Sequence, residues 1–285
     1  MKRVIPVFLI LSLLLSGCGI IARVAPATPT PSALPEFVFT RENFPDLAAG
    51  PSLSPLAEAV AALLLGESRE SASGILDVLG SGDGFSALSA GDCGLLLAAE
   101  PSDALLAKLN GKAELAPVAR DALVFWVSDA NSAESLTSAQ LSDIFTGKTT
   151  NWSQLGGENI PIVPFVRDGD SGSRMAAERL LTGGKPLVGT ESAVFDGDEG
   201  AIGLCFYHYA DAMKMTDGRR LLSVDGVAPS AESIAAAEYP FVARYVAAIS
   251  ASAAEGSPER VLWAWLQGAE GQKFIVSEGY VPAAD

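Results

Sequence analysis

Apolar residues recur along most of the chain at two spacings, one typical of helices and the other of short strands. The helical spacing is clearest over residues 56–64, which follow Pro55 and end before Gly66. Unbroken apolar runs over residues 95–99 and 123–127 predict short strands. Because helical and strand-like segments alternate along the chain, the pattern predicts an α/β fold.

Two further strands are predicted in the second half of the chain. Residues 160–166 resemble a strand despite Pro161 and Pro164, which suit an edge or an irregular strand. Residues 200–206 form the other strand, and we expect its glycines to lie close to other backbone. A C-terminal helix is predicted from Pro258 onward.

The clearest helix start reads Leu-Thr-Ser-Ala-Gln-Leu and begins at Leu136. Thr137 and Gln140 have the spacing of a capping box, while Leu136 and Leu141 stand where a hydrophobic staple forms. Gly147 supplies the left-handed conformation with which many helices end. We therefore predict a helix between Thr137 and Gly147.

The N-terminal segment has the pattern of a targeting sequence followed by a linker, and both come before the predicted folded part of the chain. Lys2 and Arg3 precede a mostly apolar run that ends in Leu-Ser-Gly-Cys and is too short to span a bilayer. We interpret residues 1–17 as a signal peptide and Cys18 as a lipidated anchor. An ordinary signal peptide with a chance cysteine is the alternative. Residues 18–35 are rich in proline, which favours an extended spacer.

The charge balance narrows the range of partners. The chain carries 34 acidic and 19 basic side chains, for a formal net charge of −15. Such a surface argues against nucleic acid, which is bound by basic patches. It also makes a local anion site more informative, because the field of the whole chain opposes anions. With one histidine and no Cys/His cluster at metal-ligand spacing, we predict neither a metal nor another cofactor.

Cys93 and Cys205 each lie within an apolar, strand-like run. Buried free thiols are the default interpretation of such positions. A disulfide between them is the alternative, because the sequence does not place the two Cα atoms within bridging range.

In three segments of the sequence, small polar residues come directly before a predicted helix. They read Gly-Pro-Ser-Leu-Ser-Pro from Gly50, Gly-Ser-Gly-Asp-Gly from Gly80 and Asp-Ser-Gly-Ser from Asp170. Each would offer unpaired N–H groups and the positive end of a helix dipole to an anion. Each would also serve as an ordinary helix cap, and spacing alone does not show that the three converge.

Arg167 strengthens the case for an oxyanion, because a guanidinium offers paired donors to such a ligand. A surface ion pair with one of the many acids is the alternative role of Arg167. Trp152 is interpreted as a packing residue at a turn, and His208 as a partly buried structural residue.

Several motifs together resemble the phosphate-binding lipoproteins of bacterial ABC importers, a branch of the type 2 periplasmic-binding-protein superfamily. The longest match begins Leu-Thr-Ser-Ala-Gln-Leu-Ser-Asp-Ile-Phe-Thr-Gly-Lys at Leu136 and reaches Arg-Asp-Gly-Asp-Ser-Gly-Ser-Arg at Arg167. The shorter matches, in the family's order, are Ser-Pro-Leu-Ala-Glu-Ala, Ala-Ala-Glu-Pro-Ser, Gly-Ala-Ile-Gly, Asp-Gly-Val-Ala-Pro-Ser, Glu-Tyr-Pro and Gly-Gln-Lys-Phe-Ile-Val-Ser-Glu-Gly-Tyr-Val-Pro-Ala. Together they cover about residues 43–283.

The resemblance implies two α/β lobes joined by two crossing strands, with a ligand clamped in the cleft between them. Residues 36–121 plus 239–285 would form lobe 1, and residues 122–238 would form lobe 2. The matching ligand positions would be Ser52, Leu53, Ser54, Ser81, Arg167, Ser171, Gly172 and Ser173. The implied function is that of a monomeric extracytoplasmic lipoprotein, anchored to the cell membrane, which captures inorganic phosphate for an ABC permease without catalysis.

One position departs from the resemblance. The family usually carries an acid in the strand before the Ala-Ala-Glu-Pro-Ser segment, where it accepts a proton from bound phosphate, and Gly94 occupies that place here. Asp92 lies two residues earlier, on the same face but displaced by roughly 7 Å. A site without an acceptor would not reject fully deprotonated oxyanions such as sulfate. The preferred oxyanion is therefore left open.

Two other functions are compatible with parts of the pattern. A surface sensor or interaction lipoprotein of the same fold would have a relaxed or lost oxyanion site, as the missing acid suggests. A hydrolase would use Ser171 or Ser173 as nucleophile and His208 as base. The segment lacks the closing glycine of a Gly-x-Ser-x-Gly elbow, which argues against a hydrolase.

Overall fold

A computed structural model describes residues 37–191, 198–212 and 218–283 of the chain. The predicted signal peptide, the proposed lipidation site Cys18 and the proline-rich linker lie outside the described residues. The described residues, from Phe37 onward, belong to one compact unit.

Strands and helices alternate along most of the described chain, which confirms the predicted α/β fold class. The strands are β1 (Leu47–Ala49), β2 (Leu76–Val78), β3 (Leu95–Ala99), β4 (Ala113–Ser128), β5 (Ser135–Leu136), β6 (Val163–Val166), β7 (Thr190–Glu191), β8 (Ala201–Phe206), β9 (Arg219–Leu221), β10 (Ser223–Val224), β11 (Val242–Ser250) and β12 (Val281–Pro282). The helices are α1 (Ser54–Leu65), α2 (Arg69–Ser73), α3 (Ser81–Ala90), α4 (Asp103–Leu109), α5 (Ser138–Phe145), α6 (Gly172–Leu180), α7 (Tyr207–Ala212), α8 (Ala231–Ala235), α9 (Pro258–Gln267) and α10 (Ala269–Ser277), with a 3-10 turn at Trp152–Leu155. None of these described helices is long and apolar enough to cross a membrane.

Ten of the strands in the described part of the chain form one mixed sheet. Its main path runs in the order β2-β1-β3-β11-β4-β8-β6-β7, and both β9 and β12 pair with β4. One parallel group consists of β1, β2 and β3, and the other of β6, β7 and β8. Between the two groups, β4 runs antiparallel to both β11 and β8.

The long strand β4 changes partners along its length. Up to Ala122 it pairs with β11, and from Leu123 onward it pairs with β8. The strand predicted over residues 123–127 is therefore only the second part of β4. A register shift between Tyr245 and Val246 marks an irregularity in β11 where it faces β4.

Most of the buried apolar side chains form two large clusters. One cluster contains Phe125, Phe145 and Trp152, and the rings of Phe125 and Phe145 lie 5.8 Å apart. The other contains Leu56 from α1 and Tyr245 from β11. These clusters fix the sheet against its helices and so hold the loops at the strand ends in place.

The helix predicted between Thr137 and Gly147 is confirmed as α5. The Thr137 hydroxyl accepts a hydrogen bond from the Gln140 N–H, and the Gln140 side chain accepts one from the Thr137 N–H. Both hydrogen bonds of the predicted capping box are therefore present. Leu136 and Leu141 are both buried in one cluster, as the staple requires. Gly147 has a φ of 77°, the left-handed conformation expected after the helix.

The predicted strands over residues 95–99 and 200–206 are confirmed as β3 and β8. The strand predicted over residues 160–166 is shorter than expected and begins at Val163. Pro161 has no N–H to donate to a neighbouring strand, which accounts for the lost residues. The helix predicted from Pro258 is confirmed as α9.

Gly203 in β8 lies directly against the ring of Trp126, since a Cβ at position 203 would stand 2.0 Å from the ring carbon Cζ2. We expect Gly203→Ala to lower the free energy of unfolding by about 1–3 kcal/mol, because overpacking forces side chains out of their rotamers. Urea denaturation measures the loss. Gly74→Ala is the control, because its Cβ would meet the Ser71 carbonyl at an ordinary 3.6 Å. Equal losses in both variants would contradict the packing described.

Candidate oxyanion-binding site

One cavity brings the three small polar segments together. Its volume is about 240 Å³. The lining residues are Pro51, Ser52, Gly80, Ser81, Arg167, Asp168, Asp170, Ser171, Gly172, Ser173, Cys205, Phe206 and Tyr209. The convergence that spacing alone did not determine is therefore present in the fold.

The sheet topology explains why the segments meet. Gly50 follows β1, Gly80 lies just beyond β2, and Arg167 follows β6, so each loop leaves the carboxyl end of a parallel strand. Such loops lie at one edge of a sheet, which is where open α/β sheets bind ligands. The loops lead into α1, α3 and α6, whose amino ends carry partial positive charge. The arrangement therefore favours an anion.

Six of the eight predicted ligand positions line the cavity, and two do not. The two exceptions are Leu53 and Ser54, at the start of α1. The Leu53 side chain is completely buried in the core, and its N–H donates to the Gly50 carbonyl at 2.8 Å. The Ser54 hydroxyl donates to the Pro51 carbonyl at 3.2 Å. Of this segment, Pro51 and Ser52 line the cavity, and Ser52 brings the hydroxyl.

Arg167 is the cation of the cavity. Within the described residues no carboxylate lies within ion-pair distance of its guanidinium, so the alternative role in a surface ion pair is not found. The guanidinium carbon of Arg167 lies 5.9 Å from the centre of the Tyr209 ring. Arg174 fixes the backbone here, because its guanidinium donates to the Arg167 carbonyl at 2.9 Å and to Glu191 at 2.6 Å. The positive charge of Arg167 is therefore available to a ligand.

The amino end of α6 supplies hydroxyl and amide donors. Ser171 is the N-cap residue, but its hydroxyl makes no capping bond and instead lies 3.0 Å from the Ser173 hydroxyl. The N–H groups of Gly172 and Ser173 have no acceptor among the described residues. A Cβ at Gly172 would stand 2.7 Å from the Ser81 hydroxyl and 2.8 Å from the Ala99 Cβ. Glycine at 172 therefore lets α6 approach the opposite wall.

The amino end of α3 differs from the prediction, because its N–H groups are already engaged. The Ser81 N–H donates to the Asp170 carbonyl and the Asp83 N–H donates to the Asp170 carboxylate, both at 3.0 Å. Cβ atoms at Gly80 and Gly82 would stand 1.4 and 2.2 Å from that carboxylate, so glycine at both positions leaves room for the Asp170 side chain in this place. Burial, followed by the charge of Asp83, raises the pKa of Asp170. The Ser81 hydroxyl is the donor that this segment retains for a ligand.

The position assigned to a missing acid lies far from the cavity. Gly94 precedes β3, whereas Ala99 ends that strand beside Gly172. Five residues of strand separate the two by roughly 16 Å. An acid at position 94 would meet the Glu259 side chain instead of a ligand. The prediction that Gly94 leaves the cavity without an acid is therefore wrong, because Asp168 and Asp170 line it.

A buried acid behind the cavity escaped the sequence analysis. Asp121 in β4 is 2% exposed. Its carboxylate accepts hydrogen bonds from the Tyr245 hydroxyl at 2.7 Å, the Ala122 N–H at 2.6 Å and the His208 N–H at 3.2 Å. The sequence did contain a signal for this buried acid, because Asp121 comes just before the apolar run over residues 123–127. Asp121 ties β4 to β11 and to the amino end of α7, whose Tyr209 lines the cavity.

Burial raises the pKa of Asp121 from its ordinary value of 3.8 to about 6, despite the hydrogen bonds that lower it. The fold therefore binds the proton more tightly than the unfolded chain does. This contribution to stability is fully present below about pH 4 and is lost as the pH rises through 6. Asp121→Asn does not titrate and serves as the reference. We expect the free energy of unfolding of wild type, relative to Asp121→Asn, to rise by about 2 kcal/mol from pH 7 to pH 4. Urea denaturation at both pH values measures this difference, and a constant difference would contradict the assignment.

Two residues outside the ligand set, His208 and Trp152, have structural roles. The His208 ring stacks on Tyr280 with centroids 3.7 Å apart, and burial lowers the pKa of His208. His208 does not line the cavity, so the serines of α6 have no histidine base there. Trp152 is buried and its indole N–H donates to the Gly200 carbonyl at 3.0 Å, as expected of a packing residue.

Cys93 and Cys205, the cysteines of the described part of the chain, are buried free thiols, as the default interpretation predicted. Cys93 and Cys205 belong to different apolar clusters. Burial raises the pKa of Cys93 to about 11 and that of Cys205 to about 12, so both stay protonated at neutral pH. Cys205 lines the cavity as a neutral group.

The sheet topology and the cavity at its strand ends agree with the class of periplasmic-binding folds. Residues 49–264 match the family described as "PBP superfamily domain". The chain belongs to this family, and the predicted periplasmic-binding-protein fold is confirmed.

Two relatives illustrate the similarity. The phosphate-binding protein PstS of Bacillus subtilis is 33% identical over 161 residues, which are 53% of this chain and 52% of that protein. The match thus spans about half the length of that relative. A phosphate-bound structure of a candidate phosphate ABC transporter substrate-binding protein from Clostridium perfringens has a TM-score of 0.67 at 23% identity, covering 83% of this chain and 98% of that one.

A second solved structure, an ABC-type phosphate transport receptor from Vibrio cholerae, has a TM-score of 0.63 at 20% identity. It covers 82% of this chain and 98% of the other. At these identities the structural similarities establish the fold.

Proposed function

We propose that this protein is an extracytoplasmic solute-binding protein that captures inorganic phosphate for an ABC importer. The observation that carries the proposal is Arg167, which has no carboxylate partner among the described residues and shares its cavity with serine hydroxyls from three helix starts. A guanidinium with converging hydroxyl and amide donors suits the tetrahedral oxygens of an oxyanion. No bond need be made or broken, so we propose binding without catalysis.

The size of the cavity supports a small ligand. Its volume of about 240 Å³ lies below the roughly 300–1,000 Å³ typical of sites for drug-sized ligands. The names of the relatives agree with this chemistry, since the Bacillus subtilis protein is called phosphate-binding and the two solved structures are ascribed to phosphate transport.

We also propose the attachment and the movement that such a function requires. Lipid on Cys18 would anchor a monomeric body to the cell membrane, with residues 18–35 as the spacer. Residues 36–121 plus 239–285 and residues 122–238 would act as two lobes. Ligand binding would favour the closed arrangement of these lobes and so signal occupancy to the permease.

Calorimetric titration of the full chain with phosphate and with sulfate tests the proposal. We expect saturable binding of phosphate and weaker binding of sulfate. Equal binding of both anions would indicate a relaxed oxyanion site. A folded protein that binds neither would refute phosphate capture and favour a sensor or interaction lipoprotein.

A further inference from the structure

The amino end of helix α3 is capped by a residue from the opposite side of the cavity. Gly80 is the N-cap residue of α3 and makes no side-chain capping bond. Asp170 takes over that role, because its Oδ1 atom accepts a hydrogen bond from the Asp83 N–H at 3.0 Å. An N-cap side chain normally accepts from the second or third N–H of its own helix, and Asp83 is the third residue of α3. The cap of α3 therefore comes from a residue 87 positions after Asp83.

The backbone of Asp170 strengthens the same contact. Its carbonyl accepts from the Ser81 N–H at 3.0 Å, so Asp170 engages the first and the third N–H groups of α3. Glycine at positions 80 and 82 leaves room for the carboxylate, since Cβ atoms there would stand 1.4 and 2.2 Å from it. Helix amino ends also attract negative charge, which an ionised carboxylate supplies. Asp170 and the amino end of α3 are thus complementary in shape, hydrogen bonding and charge.

The loop that carries Asp170 is folded by hydrogen bonds of its own. Asp168 Oδ1 accepts from the Asp170 N–H at 3.2 Å, and the Asp168 carbonyl accepts from the Ser171 N–H at 3.1 Å. These bonds form a turn, which directs Asp170 toward α3 while Ser171 begins α6. Because the turn is short and hydrogen-bonded, Asp170 and the amino end of α6 are expected to move together.

The contact crosses the boundary between the two proposed lobes. Residues 80–83 belong to proposed lobe 1, and Asp170 belongs to proposed lobe 2. Helix α6 meets lobe 1 at two further places. Ala176 is buried in the apolar cluster of α1 and β11, and Arg179 pairs with Glu100 at 2.8 Å. Each contact joins two protein groups, so none of them needs a ligand in order to form.

We propose that Asp170 is a positioning residue that holds the two proposed lobes closed, by capping α3 across the cavity. The inference rests on the proposed function and deepens it, because it assigns part of the closing free energy to the protein itself. A contact that forms only in the closed arrangement raises the closed population whether or not phosphate is bound. Phosphate then has to supply only the remainder, and its release has to wait until the cap opens.

Three substitutions separate the cap from the charge of Asp170. Asp170→Ala removes both. Asp170→Asn removes the charge but keeps a side-chain oxygen, and asparagine caps helices about as well as aspartate. Gly82→Ala leaves Asp170 intact but places a methyl group 2.2 Å from its Oδ1 atom, so the carboxylate has to leave α3. Gly82 is not among the residues that line the cavity, so this variant changes no lining residue.

The test is hydrogen–deuterium exchange of the full chain without phosphate, followed at single amides by mass spectrometry. The Ser81 N–H reports the closed arrangement, because its acceptor is the Asp170 carbonyl, which every variant retains. We expect Asp170→Ala and Gly82→Ala to exchange this N–H roughly two- to thirtyfold faster, the range that loss of a helix cap typically gives. Asp170→Asn and the loop control Gly169→Ala should exchange it as wild type does. Saturating phosphate should slow the exchange again in the two faster variants.

The Gly84 N–H distinguishes separation of the lobes from unfolding of α3. It donates to the Gly80 carbonyl within the helix at 2.8 Å, so it should stay protected in every variant. Release of radiolabelled phosphate into an excess of unlabelled phosphate adds a second measurement. Gly82→Ala should release phosphate faster by a similar factor, because the ligand leaves once the cap has opened.

Unchanged Ser81 exchange in both Asp170→Ala and Gly82→Ala would overturn the inference while phosphate capture stands. Equal acceleration at Gly84 would also overturn it, because α3 would then be unfolding instead of separating from Asp170. Phosphate release at the wild-type rate from Gly82→Ala would overturn the positioning role. A wild-type protein that binds no phosphate would refute the proposed function, and the exchange rates would still decide whether Asp170 holds the lobes together.

Discussion

Replacing Arg167 with alanine will weaken phosphate binding by roughly 10- to 150-fold. This range corresponds to the 1.5–3 kcal/mol that a hydrogen bond to a charged group typically contributes. The expected loss is large because Arg167 has no carboxylate partner among the described residues, so its charge is not already neutralised. Calorimetric titration with phosphate measures the change.

Two further substitutions separate charge from geometry at this position. Arg167→Lys keeps the positive charge but loses the paired donors of the guanidinium, so we expect an intermediate affinity. Arg244→Ala is the control, since Arg244 is exposed and pairs with Glu100 outside the cavity. It should bind phosphate as wild type does. Unchanged binding in Arg167→Ala would remove Arg167 from the site.

Gly172→Ala will reduce phosphate affinity by roughly tenfold or more while the protein remains folded. The new methyl group would stand 2.7 Å from the Ser81 hydroxyl and 2.8 Å from the Ala99 Cβ, so the amino end of α6 must move outward. Overpacking of this kind typically costs about 1–3 kcal/mol. The displacement would carry Ser171 and Ser173 away from the ligand.

Gly169→Ala is the matched control in the same loop. A Cβ at position 169 meets nothing within 4 Å, so the substitution should change neither affinity nor stability. Calorimetry and urea denaturation of both variants compare them directly. If Gly172→Ala binds phosphate as tightly as Gly169→Ala, then α6 does not approach the opposite wall as closely as described.

Local features of the fold could be predicted from the sequence, because they depend on residues that are close together along the chain. The capping box of α5 needs only Thr137 and Gln140, three residues apart. The full length of β4 could not be predicted from the sequence, because its apolar pattern is interrupted at Pro117, Arg120 and Asp121. That strand is continuous because β11 and β8 supply its two sets of partners, and both lie far away in the sequence.

The candidate site divides in the same way. Small polar residues and glycine in the sequence predict the starts of helices. Those starts are where Ser52, Ser81 and Ser171 lie. The contact of Asp170 with the amino end of α3 joins residues 87 positions apart, and the link from Tyr245 to Asp121 spans 124. Neither contact leaves a periodic pattern. Gly94 was assigned a role by resemblance, and the direction of β3 places it at the wrong end of the strand.

A net charge of −15 does not prevent anion binding at such a cavity. At physiological ionic strength, charges more than about 8 Å away are largely screened. Arg167 and the free N–H groups of α6 act at contact distance, and screening there is weak. The global charge would therefore slow the approach of an anion more than it would weaken the bound state.

The most direct test of the central claim is an X-ray structure of the protein crystallised with arsenate, measured near the arsenic absorption edge. We expect one anomalous peak in the cavity, within hydrogen-bonding distance of the Arg167 guanidinium and the Ser52 and Ser173 hydroxyls. A peak at another surface, in a protein that binds phosphate in solution, would contradict the assignment of this cavity as the oxyanion site.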